Sequence, residues 1–364
     1  MDRDHDNPSQ ADTPSTPASP PTPAPGTPGT PSGRNAASPA VPSRPVVLDA
    51  MGGDHGPAET VRGAVQARRE HGVQVILTGL PDVLGRELAR LGAAGEADIA
   101  PATDAVPMSE RGVGALTRTG SSLAVGLDLL RQGIGGSFVS AGSTGAVVAS
   151  AIGLLGTAPQ VLRPALAVAL PSVRGGATVL VDAGATVDPT PQMIAQFALL
   201  GVSYAQLVLG VDDPSVGLLS IGSEPGKGNR LTRRSEELLR WMPFRFHGNV
   251  EGDDVLAGTV DVVVTDGFTG NVVLKNIEGT VRATLSLVTR CGIAGPDDLR
   301  QVARRYDPET HGGAALLGLA GTVVVAHGSS RAATIARACV VARDLAEGQV
   351  VARVREHLTV TPAR

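Results

Sequence analysis

Cysteine is almost absent from this 364-residue chain, which has only Cys291 and Cys339. Two thiols exclude a disulfide framework and fit a reducing compartment, so a cytoplasmic location is expected. Their separation matches no metal-ligand spacing, and they read as buried structural thiols. Lysine is as scarce. Of 31 Lys and Arg residues only Lys227 and Lys275 are lysine. A chain that writes nearly every cation as arginine yet keeps two lysines needs a compact ammonium at those places. An excess of positive charge is lacking too. The formal net charge of -4 argues against a basic nucleic-acid binder or a polybasic membrane-surface protein. A long hydrophobic run is also missing. The longest uncharged stretch, Gln132 to Leu162, is broken by glycines and hydroxyl residues. Its most apolar part, around Val147–Leu155, is too short to span a bilayer and suits a buried helix.

The first 45 residues hold 12 of the 27 prolines, 11 Ser or Thr and no aromatic residue. They contain no apolar run of signal-peptide type and no Arg-rich amphipathic pattern. Met1–Arg44 is therefore expected to be a disordered, partly extended tail, with a proline-rich ligand for a partner as the alternative reading. The 45–364 segment is left to bury the core.

From Pro45 onward, apolar runs of strand length alternate with helical patterns. The candidate strands are Val46–Asp49, Val73–Thr78, Ser137–Ser140, Thr178–Asp182, Val216–Ser220, Phe244–His247, Val260–Thr265 and Thr322–Ala326. The candidate helices between them include Thr117–Arg131, Gln192–Leu209, Thr232–Trp241, Asn271–Thr289 and Arg331–Val351. This alternation predicts an α/β fold, three layers with helices on both faces of a mostly parallel sheet.

Six strands run straight into a polar residue and then glycine. In a parallel sheet such junctions lie at the carboxyl edge, where ligands bind and where helix N-termini offer free N–H groups to phosphate. The first carries Asp49, Gly52, Gly53 and Asp54; the second carries Ser140, Gly142, Ser143, Thr144 and Gly145. The third offers Asp182, Gly184 and Thr186, and the fourth Glu224, Gly226, Lys227 and Gly228. The fifth holds Asp266, Gly267, Gly270, Asn271 and, one helical turn on, Lys275. Asp49, Asp182 and Asp266 read equally well as helix caps. His327 in the sixth junction reads as a core histidine bonded to backbone, because no acidic orienter sits near it in sequence. The loop Gly222–Gly228 has a Walker-like look but is one residue short between its glycines and lacks Ser or Thr after the lysine. Nucleotide hydrolysis is not indicated, while a smaller phosphate could still be gripped. The dinucleotide fingerprint, the zinc-protease motif and the nucleophile elbow are all missing. What emerges is a polar, glycine-lined cleft suited to phosphate and without an obvious nucleophile.

Taken together the motifs LDAMGGDHGP, SAGSTGA, DAGATVD, LLSIGSEPGKG, DGFTGNVVLK and VVVAHGSS resemble the signatures of bacterial phosphate acyltransferases. The resemblance covers Val46 to about Val351. It implies a fold like that of isocitrate and isopropylmalate dehydrogenases, and transfer of a fatty acyl group from acyl carrier protein to inorganic phosphate. It also implies a homodimer in loose contact with the membrane, whose product feeds a membrane-bound glycerol-3-phosphate acyltransferase. No metal, other cofactor or nucleic acid is expected. Lys227, Lys275, Asp266 and Asn271 are the expected catalytic residues, and the other junction residues the phosphate and thioester cradle. The three acids are expected to orient lysine and backbone donors rather than touch phosphate. Ser143, Thr186 and Ser220 stand where the family pattern usually has Asn, and the Gly279–Gly312 segment is shorter than the usual helical hairpin. A short-chain phosphotransacetylase and a carrier-protein-binding scaffold without catalysis are the competing readings. Deleting residues 2–44 is expected to leave melting temperature and turnover unchanged, and a drop of several degrees in a thermal scan would contradict that.

Overall fold

The computed structural model describes residues 44–110, 112–306 and 312–360. The expected tail lies outside the described residues except for Arg44. In chain order the first elements are β1 (Val46–Asp49), α1 (Ala58–His71), β2 (Val75–Gly79), α2 (Pro81–Arg90), β3 (Asp98–Pro101), α3 (Gly112–Ala115), α4 (Ser122–Arg131), β4 (Ser137–Ser140) and α5 (Thr144–Leu155). The central part comprises β5 (Ala165–Pro171), β6 (Ala177–Val181), α6 (Pro191–Val208), β7 (Ser215–Leu219), α7 (Arg230–Leu239), β8 (Arg245–Val250), α8 (Asp254–Ala257) and β9 (Val262–Val264). Then come α9 (Gly267–Arg290), α10 (Pro296–Tyr306), β10 (Ala314–Leu317), β11 (Thr322–Val325), α11 (Ala332–Glu347) and α12 (Val350–Val360).

The strands form one sheet in the order β3-β2-β1-β4-β11-β10-β5-β6-β9-β7-β8. Alternate residues of each strand feed opposite cores, as the period of two requires. Val46 and Leu48 join the core beneath α1, α2, α6, α11 and α12, while Val47 joins the core beneath α4, α5 and α8. The result is the expected three-layer α/β/α arrangement with a mostly parallel sheet.

The sheet departs from the simple parallel picture at its centre. The strands from β3 to β11 run one way. β10 is antiparallel to β11 and β5, and β5 is antiparallel to β6. β6, β9, β7 and β8 therefore run opposite to the first half while remaining parallel to one another. The six strand–glycine junctions do not share one carboxyl edge. Those after β1, β4 and β11 point one way, and those after β6, β9 and β7 the other. Register still brings the two groups together. β6 ends one residue past Leu180, which faces Val168, and β11 ends at Val325, one row beyond the row through Ala315 and Ala167. Both sets of strand ends thus terminate level with the middle of β5.

Three strands, β3, β5 and β10, escape the sequence reading. β5 is ALAVALP and β10 is AALL, and alanine-rich runs carry no strand preference of their own. Their position between two half-sheets decides their conformation. β3 ends in proline, which an edge strand tolerates. Expected helix Thr117–Arg131 begins only at Ser122, because Ser121 caps it by accepting from the Ala124 N–H at 3.2 Å. Expected helix Arg331–Val351 is interrupted after Glu347, where Gln349 takes φ 53°. Of the two thiols only Cys339 is buried, which pushes its pKa up to about 12; Cys291 is exposed. No described helix is long and apolar enough to cross a membrane.

The start of α9 is pressed onto the end of β6. A Cβ on Gly270 would lie 1.9 Å from the Asp182 carbonyl oxygen, and one on Gly267 would lie 2.6 Å from that of Thr186. Backbone cannot yield as a side-chain tip can. Gly270→Ala is expected to cost at least about 1–3 kcal/mol, the range for overpacking a tight site, as read by urea denaturation.

Candidate functional site

A cavity of about 370 Å³ lies between β5 and α9. Its floor is one face of β5, Leu166, Val168 and Leu170, extended by Ala314 and Val325. Its roof is one face of α9, where Asn271, Leu274, Lys275 and Glu278 follow the i, i+3, i+4, i+7 spacing that stacks side chains. Tyr306, at the end of α10, also lines it. Polar groups enter from both sets of strand ends. Thr144 and Gly145 open α5, Gly184 follows β6, Gly267 opens α9 and His327 follows β11. No side chain caps α5, since Ser143 makes no capping bond, so its first N–H groups are available to an anion.

The three acids at the junctions are fastened to the fold. Asp49, at the end of β1, is 3% exposed and accepts from the hydroxyls of Ser122 at 2.6 Å and Ser140 at 2.8 Å. Burial raises its pKa, with Ser122, Ser140 and the backbone of Met51 and Gly52 pulling the other way. Asp182 is fully buried and accepts four backbone N–H groups, from Leu166, Gly184, Ala185 and Thr186, at 2.6–3.0 Å. Burial raises its pKa as well. Asp266 caps α9, accepting from the Thr269 N–H and hydroxyl, both at 2.8 Å. None of the three pairs with a lysine. They hold backbone and hydroxyl donors, and the lysine-orienting part of the expectation is corrected.

The two lysines part company. Lys275 Nζ lies 2.9 Å from Glu278 Oε2 and 3.3 Å from His327 Nε2, on the cavity wall. Lys227 is about half exposed, 3.8 Å from Glu224 Oε1, and does not line the cavity. Its loop, with Glu224, Gly226 and Gly228, follows β7 and is held elsewhere. The Gly226 N–H donates to Glu236 Oε2 at 3.0 Å, and Asn249 Nδ2 to the Glu224 carbonyl at 3.1 Å. Gly52, Gly53, Asp54, Ser140, Gly142 and Ser143 also sit outside the cavity lining. Gly52 packs where a Cβ would meet Asp49 Oδ2 and the Gly142 N–H, and the Asp54 N–H donates to the Gly328 carbonyl. Thr186 spends its hydroxyl on the Pro164 carbonyl at 3.0 Å, whereas Ser220 Oγ is buried without a partner. Of the expected site residues, Thr144, Gly145, Gly184, Gly267, Asn271 and Lys275 meet at the cavity.

A family model described as "Fatty acid synthesis protein" matches residues 45–353. A phosphate acyltransferase of Thermobifida fusca is 49% identical over 324 residues, 85% of this chain and 90% of that protein. Another, of Desulforamulus reducens, is 42% identical over 323 residues, 86% of this chain and 97% of that protein. The chain belongs to the phosphate acyltransferase family. It is an enzyme of the acyltransferase class. Among solved structures, a phosphotransacetylase from Streptococcus pyogenes superposes with a TM-score of 0.58 at 19% identity, covering 83% of this chain and 94% of that one. A 4-hydroxythreonine-4-phosphate dehydrogenase from Klebsiella pneumoniae gives 0.51 at 13% identity, covering 84% and 100%. These likenesses concern the fold.

Sequence reasoning missed the apolar body of the site and misplaced His327. Leu166, Val168 and Leu170 belong to the unrecognised strand β5. His327 is exposed rather than a core histidine. The signal for it was present, since His327 follows an apolar strand and precedes Gly328 as the other junction residues do.

The raised Asp49 pKa has a sign that can be tested. Stabilisation from an acid whose folded pKa is raised is complete below its unfolded value and is lost as pH climbs through the folded value. Asp49→Asn keeps an acceptor for one of the two serines and removes that titration. The melting-temperature gap by which wild type exceeds the variant is expected to be widest below about pH 4 and to narrow toward neutrality. A gap that widens with pH would show the carboxylate to be favoured by its hydroxyl partners over its burial.

Proposed function

We propose that the chain transfers a long acyl group from the thioester of acyl carrier protein to inorganic phosphate, releasing acyl phosphate for phospholipid synthesis. The observation that carries this reading is the apolar body of the cavity. Leu166, Val168, Leu170, Leu274 and Ile277 form a slot that an alkyl chain would fill and an acetyl group would not. Burial of each methylene there contributes about 0.8 kcal/mol. Polar groups suited to phosphate adjoin the slot: the uncapped start of α5, Asn271, Lys275 and His327.

Phosphate is a competent nucleophile near neutral pH, so neither Ser nor Cys need be activated. The protein's part is to hold an oxygen of phosphate against the thioester carbonyl and to place donors around the developing oxyanion. The N–H groups of Thr144 and Gly145, the Asn271 amide and the Lys275 ammonium are the candidates for those tasks. The acyl phosphate then passes to a membrane-bound glycerol-3-phosphate acyltransferase. The enzyme acts in the cytoplasm as a homodimer with weak peripheral membrane contact. In support, α9 buries only Gly267 and Gly270 among its 24 residues and leaves Val272 and Leu287 about half exposed, apolar surface for a second copy to cover.

Thiol release from long-chain acyl carrier protein and from acetyl-coenzyme A, each with and without phosphate, tests the reading. Phosphate-dependent release from the long-chain donor is expected, with acetyl-coenzyme A at least about 10-fold slower, as loss of several buried methylenes dictates. Preference for acetyl-coenzyme A would make the chain a short-chain phosphotransacetylase, and absence of phosphate-dependent release a scaffold. Val168→Phe, which fills the slot, is expected to raise KM for long-chain donors at least several-fold and to spare short ones.

A further inference from the structure

His327 is a titratable group on the cavity wall that no acid pairs with among the described residues. Asp49 and Asp182 are consumed by hydroxyls and backbone, and Glu278, whose side chain is 10% exposed, is held by Lys275. His327 is exposed to the cavity and touches two side chains. Its Nε2 is 3.3 Å from Lys275 Nζ, and its Nδ1 is 2.8 Å from Ser329 Oγ. An ammonium can only donate, so Nε2 accepts from Lys275 and the ring proton resides on Nδ1. Ser329 Oγ accepts that proton's hydrogen bond. In this tautomer the Ser329 N–H, 3.3 Å from Nδ1, has no acceptor there, because a protonated ring nitrogen cannot accept. The Lys275 ammonium thus selects the tautomer with an Nε2 lone pair, and the Ser329 hydroxyl is placed to accept from Nδ1–H.

We infer that His327 is a catalytic residue, the proton carrier between phosphate and the leaving sulfur; this rests on the acyl transfer proposed above. Hydrogenphosphate attacks the thioester carbonyl through an unprotonated oxygen, forming the O–C bond. As the tetrahedral intermediate collapses the C–S bond breaks and the electron pair leaves on sulfur. Nε2 takes the proton of the phosphate hydroxyl and hands it to that sulfur, while Nδ1–H stays bonded to Ser329. The products are acyl phosphate dianion and thiol; no proton is gained or lost overall and nothing is oxidised or reduced. Lys275 turns its ammonium from Nε2 to the phosphate dianion, which both relieves the lone pair and stabilises the charge. Sequence alone argued against this role because no acid neighbours His327, but a hydroxyl two residues on performs the orienting task.

Leaving-group dependence separates this role from binding or packing. The full chain and its His327→Gln and Ser329→Ala variants are assayed for phosphate-dependent thiol release from an alkyl thioester and from an aryl thioester of the same acyl group. The aryl thiolate is a weak base and departs without a proton. His327→Gln is expected to lower kcat on the alkyl thioester about 10²-fold or more, the range for a lost general acid–base group, with an unchanged melting temperature. On the aryl thioester the loss is expected to be at least about 10-fold smaller. Ser329→Ala is expected to give the same donor dependence at smaller amplitude. Equal losses on both donors, or full activity of His327→Gln, would overturn the inference and leave the acyl transfer standing. Wild type without phosphate-dependent release from either donor would remove the acyl transfer and the inference with it.

Discussion

The arrangement of the cavity depends on one buried carboxylate. Asp182 closes β6, receives the N–H of Leu166 from β5, and gathers three further N–H groups from the turn that follows. Its carbonyl oxygen supports Gly270, while the Thr186 carbonyl accepts the Gly267 N–H at 2.9 Å. The Asp182 side chain thus ties the floor strand to the turn, and a backbone bond ties the turn to the first turn of the roof helix. An unpaired carboxylate could not stay in such a place, and four N–H donors are what makes its burial tolerable. Glycine at 267 and 270 is the complementary condition, because only a residue without Cβ lets α9 approach the strand end so closely.

Beyond that first turn α9 is held lightly. It runs for 24 residues with its only buried positions at the anchored end. The roof is anchored where Asn271 stands near Gly184, whereas the floor is the centre of an eleven-stranded sheet. Beyond the anchored end, Val273, Leu274 and Ile277 are partly buried and pack against the core on the floor side.

What could be read from the sequence was whatever depends on local chemistry. The strand–polar–glycine junctions located Asp49, Asp182 and Asp266, and each sits at a strand end. The apolar strands β1, β4 and β11 carry their own signals, whereas the cap at Ser121 went unread and the helix was expected from Thr117. The central inversion of the sheet could not be read, because it resides in β5 and β10, whose alanine-rich residues become strands through their neighbours. With β5 unseen, the apolar floor was unseen too, and the site read as a polar cleft. The roles of the acids were legible only to within a choice between cap and ligand. Burial and partners resolve that choice, making Asp266 a cap and Asp49 and Asp182 internal fasteners.

The inversion explains how a phosphate-handling site can sit on an apolar slot. In a sheet with one direction, helix N-termini stand side by side along a single edge, and the apolar faces lie beneath covering helices. Here β4 and β9 run oppositely yet end level with the middle of β5, so α5 and α9 bring their N-termini to one cavity from opposite directions. The floor between them is a bare strand face, and each helix end contributes partial positive charge beside it. Lys275 completes this field from within α9. The scarcity of lysine is then informative at that position for a physical reason: a guanidinium would fork toward Glu278 and hold it bidentately, while an ammonium on a flexible stem can keep Glu278 and turn from His327 toward an arriving dianion. Lys227 stands 3.8 Å from Glu224 on a half-exposed loop outside the cavity lining.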